Sequence, residues 1–96
     1  MNQSDVISVI VRILPAGDEL DVELPLYSTS KEIIEELLNA GLGIERSDAQ
    51  GNPHIFQLIS KENGRELLSD KTLYDCGVKP GQTLLLTPKL VAGSNL

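Results

Sequence analysis

The length, composition and charge of the chain limit its architecture and its partners. Ninety-six residues, 41% of them hydrophobic, predict one domain that buries its own core. The formal net charge of -6 argues against nucleic acid and anionic membranes as partners, because the chain repels phosphates. The aromatic residues are only Tyr27, Phe56 and Tyr74, which leaves no platform on which bases could stack.

The cysteine content and the first residues bear on the compartment. Cys76 is the single cysteine, which excludes an internal disulfide bond and fits a reducing compartment. No run approaches the ~18 consecutive apolar residues of a membrane span, and residues 1–5 (MNQSD) lack the basic start and apolar stretch of a signal peptide. We therefore expect a cytoplasmic chain without membrane insertion.

The first half of the chain predicts a β-hairpin followed by one helix. Residues 6–14 (VISVIVRIL) are apolar and β-branched at nearly every position, as in a central strand, whereas residues 20–26 (LDVELPL) alternate apolar and acidic side chains, as in a half-exposed strand. Thr29 and Glu32 have the spacing of a capping box, and apolar residues recur at helical spacing over residues 33–38. The helix is therefore expected to lie on one face of the sheet.

The second half predicts further strands around an exposed loop. Residues 41–54 are polar and rich in turn formers, residues 55–60 (IFQLIS) indicate a third strand, and residues 66–68 indicate a short edge strand. A short helical or turning segment then leads to a last strand over residues 83–87. This order favours an α+β fold, a mixed sheet of four to five strands with one main helix packed on one face.

The closing segment carries a resemblance to a known family. Residues 71–93 (KTLYDCGVKPGQTLLLTPKLVAG) resemble the end of ubiquitin-like β-grasp proteins, in which a leucine, an aspartate, a β-branched residue and a turn precede the final strand. The resemblance covers residues 6–93. It implies a ubiquitin-like β-grasp domain over residues 1–88 and a flexible C-terminal tail over residues 89–96.

The same resemblance assigns a role to the tail. A gapless match to ubiquitin brings Lys89 to a basic tail position, Leu90 to an apolar one and Gly93 onto the terminal glycine, so that the last three residues form a removable extension. It implies a protein modifier, with a processing peptidase, an activating enzyme and a conjugating enzyme as partners. Ala92 departs from the family's Gly-Gly pair, and the alternative is a solvated chain end.

A second family competes with the modifier interpretation. Residues 73–86 (LYDCGVKPGQTLLL) also resemble the closing segment of the small YukD-like proteins of bacterial type VII secretion systems, with Asp75, Cys76 and Gly77 before the turn. This resemblance implies an accessory protein that binds the secretion machinery noncovalently. YukD-like proteins generally stop soon after the last strand, so this interpretation leaves the tail without a role.

Strand alternation predicts an apolar surface patch for protein partners. If Leu84 and Leu86 point inward from the last strand, Leu85 between them points outward. The same alternation turns Ile10 outward on the first strand and Ile59 outward on the third, and these three strands are adjacent in a β-grasp sheet. Such a patch resembles the surface by which ubiquitin-like domains are recognised, although scattered exposed aliphatic residues are also ordinary. Solvation is expected for the acidic side chains of the helix, which are Glu32, Glu35 and Glu36.

The residue types available argue against catalysis. His54 is the single histidine and follows a proline in the long loop, and Cys76 has no other candidate base. One cysteine and one histidine do not complete a metal site without suitably spaced carboxylates. We therefore predict no enzymatic activity, no cofactor and no metal.

Overall fold

The computed structural model of the chain describes residues 5–42, 44, 47 and 50–89. Within these described residues, five strands and one helix follow one another in the predicted order. They are β1 (Val6–Ile13), β2 (Asp18–Pro25), α1 (Ser30–Asn39), β3 (Phe56–Ser60), β4 (Glu66–Leu67) and β5 (Thr83–Pro88).

The strands form one mixed sheet with the order β2-β1-β5-β3-β4. β1 and β5 are parallel at its centre, and the other neighbouring strands are antiparallel. The predicted α+β class is therefore confirmed, as is the adjacency of the first, last and third strands.

The core lies between the sheet and α1, because every second residue of the central strands points toward the helix. The predicted inward side chains of β5, Leu84 and Leu86, are both fully buried, and Leu73 and Val78 are buried beneath the turn before β5. The buried apolar residues are Val9, Val11, Ile13, Leu24, Ile33, Leu37, Leu58, Leu67, Leu73, Val78, Leu84 and Leu86.

The predicted capping box begins α1. The Glu32 amide donates to Thr29 Oγ1 at 3.2 Å, and the Thr29 amide donates to Glu32 Oε1 at 2.9 Å. These two bonds satisfy amides that have no partner within the helix. The helix ends at Asn39, and Gly41 follows with φ of +74°, a left-handed conformation that glycine adopts without strain.

The first residue of α1 carries a buried hydroxyl. Ser30 is 1% exposed, and its amide donates to the Lys71 carbonyl at 2.9 Å, which ties the helix to the segment before β5. Its Oγ has no hydrogen-bond partner within the described part of the chain. An unpaired buried hydroxyl costs folding free energy.

The turn before β5 is closed by reciprocal hydrogen bonds. The Thr72 amide donates to Asp75 Oδ2 at 3.2 Å, and the Asp75 amide donates to Thr72 Oγ1 at 3.0 Å. The hydrogen bonds that the Thr72 amide and side chain make to the Asp75 carboxyl lower its pKa, because they favour its charged form. The Val78 amide also donates to the Leu73 carbonyl at 3.0 Å, so the turn holds both buried side chains in place.

Candidate functional site

The sheet has one face that α1 does not cover, and we call it the open face. It presents the residues that alternate with the buried ones along each strand. On the three central strands these are Val6, Ser8, Ile10, Arg12, Gln57, Ile59, Thr83, Leu85 and Thr87.

The centre of the open face is one row of side chains that crosses all five strands. Leu85 on β5 lies opposite Ile59 on β3 and beside Arg12 on β1. Arg12 lies opposite Glu19 on β2, and Ile59 lies opposite Glu66 on β4. The row therefore has two apolar residues in the middle and a carboxylate at each end.

The third residue of the predicted patch lies in the neighbouring row. Ile10 is aligned with Thr83 on β5, two residues before Leu85. Ile10 is therefore a diagonal neighbour of Leu85 on the adjacent strand rather than directly beside it, and the role of the three residues as a partner-binding patch stays a prediction. The parallel register of β1 and β5 is the cause, because it brings Arg12 rather than Ile10 to Leu85. All three apolar side chains are half-buried.

Ion pairs border the apolar centre of the row. The Arg12 guanidinium donates twice to Glu19 Oε2, with Nε at 2.7 Å from the oxygen. At the other end, Lys89 Nζ donates to Glu66 Oε2 at 3.1 Å. Exposed pairs of this kind contribute at most about 1 kcal/mol to stability. In protein interfaces, charges around an apolar centre act more on the orientation of a bound protein than on its affinity.

Of the predicted conjugation tail, only the first residue belongs to the described part of the structure. The Lys89 amide donates to the Ile55 carbonyl at 2.6 Å, which extends the β3–β5 ladder by one pair. Leu90, Ala92 and Gly93 lie outside the described residues.

Cys76 and His54 occupy different environments. Burial raises the pKa of the half-buried Cys76 thiol, and the neighbouring Asp75 charge raises it further, so the thiol is protonated at neutral pH and a weak nucleophile. The His54 ring packs edge-on against Phe56, with centroids 5.8 Å apart. Across residues 5–42, 44, 47 and 50–89, no group of three or more His, Cys, Asp or Glu side chains is arranged to hold a metal ion.

The sequence did not predict an acidic groove beside β2. Pro25 and Ser28 form one wall, and the helix residues Glu32, Glu35 and Glu36 line the other, around a volume of about 610 Å³. The spacing of the glutamates along α1 indicated an acidic surface but not the strand it faces. Within the described part, no helix is both long and apolar enough to span a bilayer.

The family model for the protein YukD of the WXG100 protein secretion system matches residues 8–86, from β1 into β5. The chain belongs to the YukD family. The match includes Ile10, Ile59 and Leu85, and it confirms the resemblance of the closing segment to YukD-like proteins. No curated protein matches this YukD-family chain in sequence.

Ubiquitin-like proteins are among the solved structures that share this fold. The ubiquitin-like domain of an Arabidopsis thaliana protein is 15% identical with a TM-score of 0.67, covering 95% of this chain and 85% of that domain. Caldiarchaeum subterraneum ubiquitin is 18% identical with a TM-score of 0.63, covering 92% of this chain and 99% of that protein. A designed protein based on ubiquitin is 25% identical with a TM-score of 0.67, and the match covers 96% of this chain and 99% of that protein. The YukD-family chain therefore has the predicted ubiquitin-like fold.

Proposed function

We propose that this chain is a noncovalent binding module of a WXG100-type secretion system in the bacterial cytoplasm. The observation that carries the proposal is the match to the YukD family model over residues 8–86. The partner is a protein of the secretion machinery, and the role involves no catalysis, cofactor or nucleic acid. The contact surface is the open face, centred on Ile59 and Leu85.

The geometry of the open face supports this surface. Ile59 and Leu85 are cross-strand partners, so their side chains form one continuous apolar area, which Ile10 extends from the next row. A partner that covers this area gains hydrophobic free energy in proportion to the apolar surface removed from water. Arg12 and Glu66 stand at the sides of the pair, where a polar rim surrounds the apolar centre of a typical interface.

The second candidate function is a ubiquitin-like modifier. It is favoured by the ubiquitin-like fold and by the gapless position of Gly93 at the end of the β5 strand alignment. In this mechanism a peptidase hydrolyses the peptide bond after Gly93, and an activating enzyme uses ATP to adenylate the Gly93 carboxylate and releases pyrophosphate. A conjugating enzyme then transfers the glycyl group to an amine of the target, with AMP as the group that is released. A glycine suits such a site because it lets the backbone approach closely. Residues 1–88 then form the domain and residues 89–96 its tail.

Photo-crosslinking in the native host tests the noncovalent role. A photoreactive amino acid replaces Ile59 in one variant and Asp70, an exposed loop residue away from the open face, in a matched control. We expect a crosslink from position 59 to a component of the secretion machinery and none from position 70. Crosslinks from position 70 alone contradict the proposed surface.

The intact mass of the protein from its host separates the two candidates. The noncovalent role predicts an unprocessed chain that retains Leu96 and carries no protein adducts. A species that ends at Gly93, with heavier adducts joined through that glycine, would identify a modifier.

A further inference from the structure

β2 is an edge strand whose outward backbone groups belong to acidic residues. The Leu26 amide donates to the Asp5 carbonyl at 2.5 Å, in register with the β1–β2 pairs. Hydrogen-bonded pairs alternate along an antiparallel ladder, so the even-numbered residues of β2 bond to β1. The amides and carbonyls of Glu19, Asp21 and Glu23 therefore point away from the sheet. In the described part of the chain, no backbone group pairs with them.

Carboxylates line this edge on the open face of the sheet. Glu19, Asp21 and Glu23 project onto the open face, and the described residues offer an ion-pair partner, Arg12, only to Glu19. On the helix side, the acidic groove lined by α1 meets β2 only at its last residue, Pro25. Between these charges, the inward side chains Leu20 and Val22 are half-buried rather than covered.

We infer that the β2 edge is a docking site for an extended segment of another protein in which basic residues alternate with apolar ones. The segment forms a sixth strand. The outward amides and carbonyls of Glu19, Asp21 and Glu23 form hydrogen bonds with its backbone. Its basic side chains lie beside Glu19, Asp21 and Glu23, because neighbouring strands place paired side chains on the same face. Its apolar side chains lie on the other face, beside Leu20 and Val22.

A second copy of this chain does not fit the same edge. Two β2 strands that pair around Asp21 bring carboxylates of both copies together on one face, and like charges directly opposite each other are destabilising. Charged side chains on edge strands also prevent such self-association. The complementary occupant therefore carries positive charge.

A peptide titration tests the docking edge directly. The probe is a capped eight-residue peptide of alternating Lys and Val, added to the isotope-labelled full chain and followed by NMR. We expect the amide signals of Glu19, Asp21 and Glu23 to shift and their hydrogen exchange to slow at least tenfold. The same peptide N-methylated at the residues that donate to β2 should bind more than tenfold more weakly, because it cannot form those hydrogen bonds.

Two protein variants distinguish the contribution of the backbone hydrogen bonds to peptide binding from that of the acidic side chains. Asp21→Pro removes one outward amide and spares the β1 ladder, a change that edge strands tolerate, whereas Asp21→Asn keeps the amide and removes the charge. We expect that Asp21→Pro no longer binds the peptide and that Asp21→Asn binds it a few-fold more weakly. If Asp21→Pro does not fold, the N-methylated peptide on the unaltered protein decides the question.

Three outcomes overturn the inference. They are no binding at millimolar peptide, equal binding of the N-methylated peptide, and signal changes confined to Ile59 and Leu85. The first would leave the acidic side chains with a protective role at the edge only. This inference goes beyond the proposed secretion role, and its failure does not affect that role, because the proposed contact surface is the open face.

Discussion

Ile59 and Leu85 face each other across the β3–β5 ladder at the centre of the open face. The Lys61 amide donates to the Thr83 carbonyl at 3.0 Å, and the Lys89 amide donates to the Ile55 carbonyl at 2.6 Å. These bonds fix the register in which Ile59 and Leu85 form a hydrogen-bonded pair. The most central apolar contact of the open face is therefore set by the backbone.

Neighbouring leucines of β5 should respond differently to a charge. Leu85→Asp should keep the fold, because Leu85 is half-buried on the open face, whereas Leu84→Asp should unfold the domain, because Leu84 is fully buried and an unpaired charge there is not compensated. Circular dichroism and thermal unfolding distinguish the two. Unfolding of Leu85→Asp would show that the two faces of β5 have been assigned wrongly.

The capping box should make a measurable contribution to stability. Thr29→Ala removes the hydroxyl that accepts from the Glu32 amide, and it should lower the free energy of unfolding by about 1 kcal/mol. Glu32→Gln is the matched control, because its amide oxygen still accepts from the Thr29 amide. Urea unfolding measures both, and equal losses in the two variants would argue against the reciprocal arrangement.

The buried hydroxyl of Ser30 should destabilise the folded state. Ser30→Ala removes an unpaired buried polar atom and should raise the free energy of unfolding by about 1 kcal/mol. Ser69→Ala, at an exposed position, should change it by less than about 0.5 kcal/mol. A loss of stability in Ser30→Ala would mean that the hydroxyl has a hydrogen-bond partner in solution.

The Thr72–Asp75 turn should make the free energy of unfolding depend on pH in the acid range. The hydrogen bonds from Thr72 lower the pKa of Asp75 in the folded state, so the stabilisation is fully present above the pKa of the unfolded chain. It is lost as the pH falls through the lowered folded-state value. Asp75→Asn should flatten this acid limb in urea unfolding measured from pH 7 downward. An unchanged pH slope in Asp75→Asn would contradict this role for the carboxylate.

Most of the fold is predictable because each element has a local signal. The alternation of β2, the apolar run of β1 and the Thr29–Glu32 capping box each depend on residues close together in the chain. The resemblance of the closing segment to ubiquitin-like proteins, which includes Leu73 and Val78, predicts the topology.

The details of the candidate site depend on contacts that the sequence does not encode locally. The position of Ile10 one row from Leu85 follows from the β1–β5 register, which joins segments more than 70 residues apart. The acidic groove likewise depends on how α1 lies against the end of β2. Strand alternation predicts which face a residue occupies, but not its cross-strand neighbour.

Complementation of a deletion strain tests the noncovalent role most directly. Secretion of WXG100 proteins is measured with the unaltered chain, with Ile59→Asp, which disrupts the open face, and with Gly93→Asp, which blocks activation of a terminal glycine. All three proteins must accumulate to equal levels. The noncovalent role predicts that Gly93→Asp restores secretion and that Ile59→Asp does not. Restoration by Ile59→Asp, together with failure of Gly93→Asp, would contradict it.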